Sequence, residues 1–110
     1  MTTELSTSNE LQQQLNCSPA ILLYFFNDNC APCIALRPKV EAMLSEEYPE
    51  MRQFYINAAK LPELAAANGV FASPTIIAFF EGRETFRVSK FVSIYELSEK
   101  IGRSYTMIFG

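Results

Sequence analysis

The stretch Ala20-Ile21-Leu22-Leu23-Tyr24-Phe25-Phe26-Asn27-Asp28-Asn29-Cys30-Ala31-Pro32-Cys33 decides the fold. It opens with an uninterrupted apolar run, the pattern of a central strand covered on both faces. Asn27-Asp28-Asn29 then breaks the run, and Cys30-Ala31-Pro32-Cys33 leads into a helical segment. From Cys33 to Tyr48, Leu36, Val40, Met43 and Leu44 recur at helical spacing, while Arg37, Lys39, Glu41, Glu46 and Glu47 supply a wet face. Residues three apart on a helix share a face, so Cys30 and Cys33 can alternate between dithiol and disulfide. A cysteine at a helix start also meets unpaired N–H groups and the positive end of the helix dipole, which favour thiolate. Cys30 is therefore the expected nucleophile and the more exposed thiol.

Working outward, Thr7-Ser8-Asn9-Glu10 reads as a capping box ahead of Leu11 and Leu15, which predicts a helix over 8–16 that ends at Ser18-Pro19. Pro38 inside the long helix denies a hydrogen bond to the Ile34 carbonyl and predicts a bend. Residues 51–56 suggest a strand, and 61–69 a helix closed by Asn68-Gly69. Strands over 75–80 and 85–88 flank Glu81-Gly82-Arg83-Glu84, a hairpin signal with glycine in the turn. Ser93 caps a last helix through about Tyr105, with Ile94, Leu97 and Ile101 as its apolar stripe. The apolar tail from Tyr105 to Phe109 either packs on the sheet or marks a dimer patch, and packing is favoured. With a short strand at the start, this order predicts an α/β protein. Its mixed sheet has four to five strands, helices on both faces, and Cys30 at the carboxyl end of a central strand, where open α/β sheets place their sites.

The 110 residues form one expected domain over 1–110, and 49% hydrophobic content is ample for a core. Nine basic and 12 acidic side chains, without a run of either sign, carry no footprint for nucleic acid or an anionic membrane. Histidine is absent, so imidazole chemistry is excluded, and a zinc clip could add only Cys17 and carboxylates to the pair. No metal and no cofactor is expected. Neither a basic leader nor an apolar run of ~18 to 20 residues is present, which predicts a soluble protein without a secretion signal. Three cysteines fit a reducing cytoplasm better than a secreted disulfide framework, with Cys17 as a buried or half-exposed spectator at a helix end in preference to a regulatory thiol.

The chain resembles the thioredoxin family over nearly its whole length. Three features carry the likeness: the Cys-x-x-Cys, Pro38 five residues after its second cysteine, and Ser73-Pro74-Thr75 ahead of an apolar strand. The resemblance implies a thioredoxin fold in which Pro74 is a cis-proline beside the disulfide and the backbone of Ser73 pairs with an extended substrate segment. It assigns attack on a substrate disulfide to Cys30 and resolution of the mixed disulfide to Cys33, with Ala31 and Pro32 shaping the loop. Asp28 matches an acidic loop position and is either a solvated acid or a tuner of Cys30, and Phe26 replaces a tryptophan. Asn29 stands where a tryptophan is usual, which reduces the apolar platform for partners. Tyr24 replaces a buried aspartate, and Gln53 the lysine near it; Tyr24 is read mainly as core, with tuning of Cys33, whose deprotonation is then slower or relies on water, as the alternative. Lys90 replaces a glycine against the substrate. Ala-Pro stands for Gly-Pro between the cysteines.

The implied activity is reduction of protein disulfides by a monomer that a thioredoxin-reductase-like enzyme or another dithiol donor re-reduces. The alternative is an adaptor or redox sensor on the same fold, whose partner binding matters more than turnover. Catalytic insulin reduction separates the two.

Overall fold

The computed structural model describes residues 3–110; Met1 and Thr2, with which the expected domain begins, lie outside the described residues. The apolar run is the central strand β2, Ala20–Phe26. Side chains alternate across a strand, and here each set finds its own core. Ala20, Leu22 and Tyr24 join Val40, Met43, Leu44, Leu97 and Ile101 on one face, whereas Ile21, Leu23 and Phe25 join Leu11, Phe54, Ile56, Leu64 and Ile77 on the other. That double burial is why the strand lacks the polar alternation of a half-exposed one.

Around β2 the elements follow in the order β1 Thr3–Glu4, α1 Ser8–Cys17, β2, α2 Ala31–Glu47, β3 Arg52–Asn57, α3 Pro62–Ala67, β4 Thr75–Phe80, β5 Arg83–Ser89 and α4 Ile94–Phe109. The five strands lie in the order β1-β3-β2-β4-β5. β3 runs parallel to β1 and β2, while β4 is antiparallel to β2 and β5 to β4. The chain thus leaves β2 for β3 on one side and later returns to β4 on the other. The carboxyl end of β2 is consequently the switch point of the sheet, and Cys30 follows there.

The expected elements all form, with shifted ends. Thr7 caps α1 through the reciprocal bonds of its capping box with Glu10. α2 begins at Ala31, two residues before the expected Cys33, because Ala31 and Pro32 fill its first two positions and proline there forfeits no helical bond. It continues through Pro38 to Glu47. The hairpin turn is tighter than the expected four residues: Glu81 and Gly82, with φ of 54° and 80°, make the connection. β5 therefore starts at Arg83, and a register shift after Ala78 leaves Thr85 without an opposite residue.

The tail is helical and packed: α4 runs on to Phe109, with Tyr105 between Tyr48 and Phe109 at ring distances of 4.9 and 4.5 Å. Tyr48 also donates to the Ser98 carbonyl, 2.6 Å away. Gly102 permits this approach of α2 to α4, since a Cβ there would lie 2.7 Å from the Tyr48 hydroxyl. Among the described residues no helix is long and apolar enough to cross a membrane.

Candidate functional site

The loop after β2 is built from its own short polar residues. Asn27 Oδ1 accepts the Asn29 N–H at 3.0 Å and the Asn27 carbonyl accepts the Cys30 N–H at 3.3 Å, which turns the chain into α2. Cys30 is the N-cap of α2, and its Sγ accepts the Cys33 N–H at 3.2 Å. The sulfur thus occupies the place a capping oxygen would take and meets a backbone donor that favours its anionic form. Cys30 and Cys33 close a disulfide, with Cα atoms 5.2 Å apart. Cys30 is 8% exposed and Cys33 3%. The expected order of exposure holds, but both sulfurs belong to the core surface; Cys30 is not an open thiol. Ala31 and Pro32 are exposed in the first turn above them.

Across the rim, the Ser73–Pro74 peptide is cis. Thr75 Oγ1 donates to the Ala72 carbonyl at 2.7 Å, which closes the turn containing Pro74. The Pro74 carbonyl accepts the Lys90 N–H at 2.8 Å. β2 ends, β4 begins and β5 ends at this edge of the sheet, with Phe25 opposite Thr75 and Thr75 opposite Ser89. Cys30, Pro74 and Lys90, far apart in sequence, are therefore neighbours on one rim. Ile34, Phe71 and Phe91, at 68%, 85% and 97% exposed, leave apolar surface on the segments flanking it.

Beneath the disulfide lies a cluster that sequence reasoning largely missed. The fully buried Tyr24 donates its phenolic proton to the Cys33 carbonyl at 2.8 Å. Its ring packs 5.3 Å from that of Tyr55, the residue opposite it on β3. The Tyr55 hydroxyl has Gln53 Oε1 at 3.1 Å and Glu41 Oε2 at 3.3 Å as acceptors, and it has one proton to give. The Arg37 guanidinium lies 3.8 Å from the centre of the Tyr55 ring and 3.6 Å from Glu41. Burial pushes the Tyr24 phenol up to about 12, opposed by Arg37 and aided by Glu41. Burial, with Glu41 next, lifts Tyr55 further. Both phenols are neutral at physiological pH. Tyr24 is thus more than core filling: it touches the backbone of the second cysteine. A helical arginine and glutamate pair one turn apart, Arg37 and Glu41, was the sequence signal for this cluster, but its spacing equally describes a solvated face.

Asp28 is engaged elsewhere: its Oδ1 accepts from Asn57 Nδ2 at 3.0 Å. Asn57, 4% exposed at the end of β3, also accepts the N–H groups of Ala59 and Lys60. It ties the loops after β2 and β3 together. Cys17 ends α1 as expected but is exposed, neither buried nor half-exposed; it precedes β2, whereas Cys30 follows it. The strand between them spans on the order of 20 Å, which keeps the third thiol from joining the pair. Among the described residues no group of three or more histidine, cysteine, aspartate or glutamate side chains is placed to hold a metal ion.

The thioredoxin family model matches residues 2–103. Thioredoxin-like protein YdfQ of Bacillus subtilis is 30% identical over 88 residues, which covers 80% of this chain and 78% of that protein. Thioredoxin-1 of Saccharomyces cerevisiae is 28% identical over 88 residues, covering 80% and 84%. The X-ray structure of Fasciola hepatica thioredoxin superposes with a TM-score of 0.83 at 32% identity, over 93% of this chain and 98% of that one. With a paired-cysteine loop at the switch point of the sheet, the chain belongs to the thioredoxin family and is a thiol–disulfide oxidoreductase.

Proposed function

We propose that this chain, as a single-domain monomer in the cytoplasm, reduces protein disulfides through Cys30 as attacking and Cys33 as resolving thiol. The capping geometry carries the reading: the Cys33 N–H points at Cys30 Sγ, so the thiolate at position 30 has a donor before any substrate arrives. In the first step Cys30 S⁻ attacks one sulfur of the substrate disulfide, forming a mixed disulfide and releasing the other sulfur as thiolate. In the second, deprotonated Cys33 attacks Cys30 Sγ; the substrate's second thiolate leaves and the Cys30–Cys33 disulfide forms. Two electrons have passed to the substrate, and a thioredoxin-reductase-like enzyme or another dithiol donor returns them.

Ser73 and Pro74 present the backbone edge against which an extended substrate segment pairs, Thr75 holds their turn, and Ala31 and Pro32 shape the loop over the sulfurs. The Tyr24 phenol stays protonated at neutral pH, so the Cys33 proton passes to water. Neither nucleic acid nor a membrane takes part.

Insulin reduction with dithiothreitol as donor is the direct test, and catalytic turnover is expected. Cys33→Ser is expected to accumulate mixed disulfides with substrate proteins, because no internal thiol then resolves them. Adducts captured equally by Cys30→Ser, or by neither variant, would reverse or remove the two roles.

A further inference from the structure

Beside the disulfide, a groove of about 350 Å³ runs between α2 and the rim that carries Pro74, with Pro32, Val92 and Ile94 among its apolar walls. Its charged lining consists of two lysines, Lys39 from α2 and Lys90 from the segment after β5, and no carboxylate lines it. Both lysines are exposed. Among the described residues the two ion pairs join Arg37 to Glu41 and Arg87 to Glu84, so neither lysine is neutralised by an acid. This cationic groove belongs to a chain whose net charge is −3. Glu96, two residues past Ile94, is not among the groove's lining side chains.

Lys90 is also held against its backbone preference. Its φ is +66°, a left-handed conformation that costs an L side chain energy and glycine none. The bond from its N–H to the Pro74 carbonyl pins that geometry, placing the residue at the groove's edge. A strained non-glycine residue beside a reacting centre points to a use for its side chain.

We propose that Lys39 and Lys90 select substrates, so that the preferred disulfides lie in acidic segments of protein. The inference rests on the disulfide-reductase reading above and adds the chemistry of the substrate. Aspartate or glutamate next to the substrate cysteine meets the two ammonium groups in a groove with apolar walls, which strengthens their attraction over that in open water. A basic segment meets like charge, which makes the selection two-sided. The reaction is unchanged: each turnover moves two electrons and two protons from dithiothreitol, through Cys30 and Cys33, to the substrate disulfide.

The test uses two synthetic disulfide-closed peptides, identical except that aspartate and glutamate flank the cysteines in one and lysine in the other. Their reduction is followed beside insulin, with the uncatalysed dithiothreitol rate subtracted. The acidic peptide is expected to have a kcat/KM about tenfold higher at low ionic strength. Most of that preference should vanish in about 0.5 M sodium chloride, where screening acts within on the order of 4 Å. Lys39→Glu with Lys90→Glu should reverse the preference. Lys90→Gly, which relieves the backbone as it removes the charge, should weaken it without loss of folding. Equal rates for the two peptides in the parent, or a preference that survives the double substitution, would overturn the selection by these lysines while leaving the reductase intact. Failure to reduce insulin and both peptides would instead overturn the reductase reading and this inference with it.

Discussion

The Tyr24 hydroxyl donates to the carbonyl oxygen of Cys33 across 2.8 Å in the buried layer beneath the disulfide. A side chain of the central strand thereby holds the first turn of α2 from below, and the backbone of Cys33 is coupled to the sheet.

Removing that hydroxyl should be visible in stability. Tyr24→Phe keeps the ring and loses the bond, at an expected cost of about 1 to 2 kcal/mol, measured by urea unfolding near pH 8. The difference should depend on pH. Because folding raises the Tyr24 pKa from 10.0 to about 12, its contribution is complete below pH 10 and lost as the pH rises towards 12. The advantage of the parent should therefore disappear over that interval. A gap that stays constant would mean that the phenol ionises as readily in the folded chain as in the unfolded one.

Tyr24→Asp tests proton transfer at the same place. A carboxylate buried there loses hydration, and Arg37, whose charge acts on the Tyr24 site, offsets only part of that loss. The variant is expected to melt below the parent yet to reduce insulin faster at pH 7 to 8, where an acid with a raised pKa accepts the Cys33 proton. An unchanged rate for the folded variant would show that deprotonation of Cys33 does not limit turnover.

Alkylation of the reduced protein separates thiolate character from exposure. Cys17 is the open thiol and Cys30 the capped one. Limited iodoacetamide at about pH 6.5 should modify Cys30 first, with Cys33 last, as read by peptide mass mapping. If Cys17 were modified first, access would outweigh the effect of the helix start.

Asn57 and Asp28 should differ in weight although they share a hydrogen bond. Asn57→Ala removes three bonds from a buried position and should cost about 2 to 3 kcal/mol in denaturant unfolding. Asp28 is exposed, and Asp28→Asn, which keeps an acceptor oxygen for Asn57, should cost under about 0.5 kcal/mol. Removing its charge should favour the Cys30 thiolate, so iodoacetamide should label Cys30 faster in this variant; an unaltered rate would make Asp28 purely a tie between loops.

Lys90→Gly should raise the melting temperature, since glycine adopts φ of +66° without strain. A gain of about 0.5 to 1 kcal/mol is expected after the greater chain entropy of unfolded glycine is deducted. A lower melting temperature would show that the lysine side chain stabilises the rim.

The sequence by itself determined the architecture and the reactive pair, because those rest on local patterns. An unbroken apolar strand, a polar loop, Cys30 and Cys33 one turn apart, a capping box at Thr7 and a glycine-bearing hairpin each need only neighbours in the chain. Tertiary structure decided which distant residues meet. The pairing of β2 with β3 set Tyr24 opposite Tyr55, and the packing of α2 brought Arg37 and Glu41 to them. The end of β3 placed Asn57 under Asp28, and the antiparallel edge brought Lys90 to Pro74. No periodicity encodes such contacts: in sequence Glu41 is an ordinary helix-surface acid, and Lys90 stands out only through the family resemblance. Their roles depend on strand register and helix placement, which the whole set of buried faces settles together when the two cores close on β2.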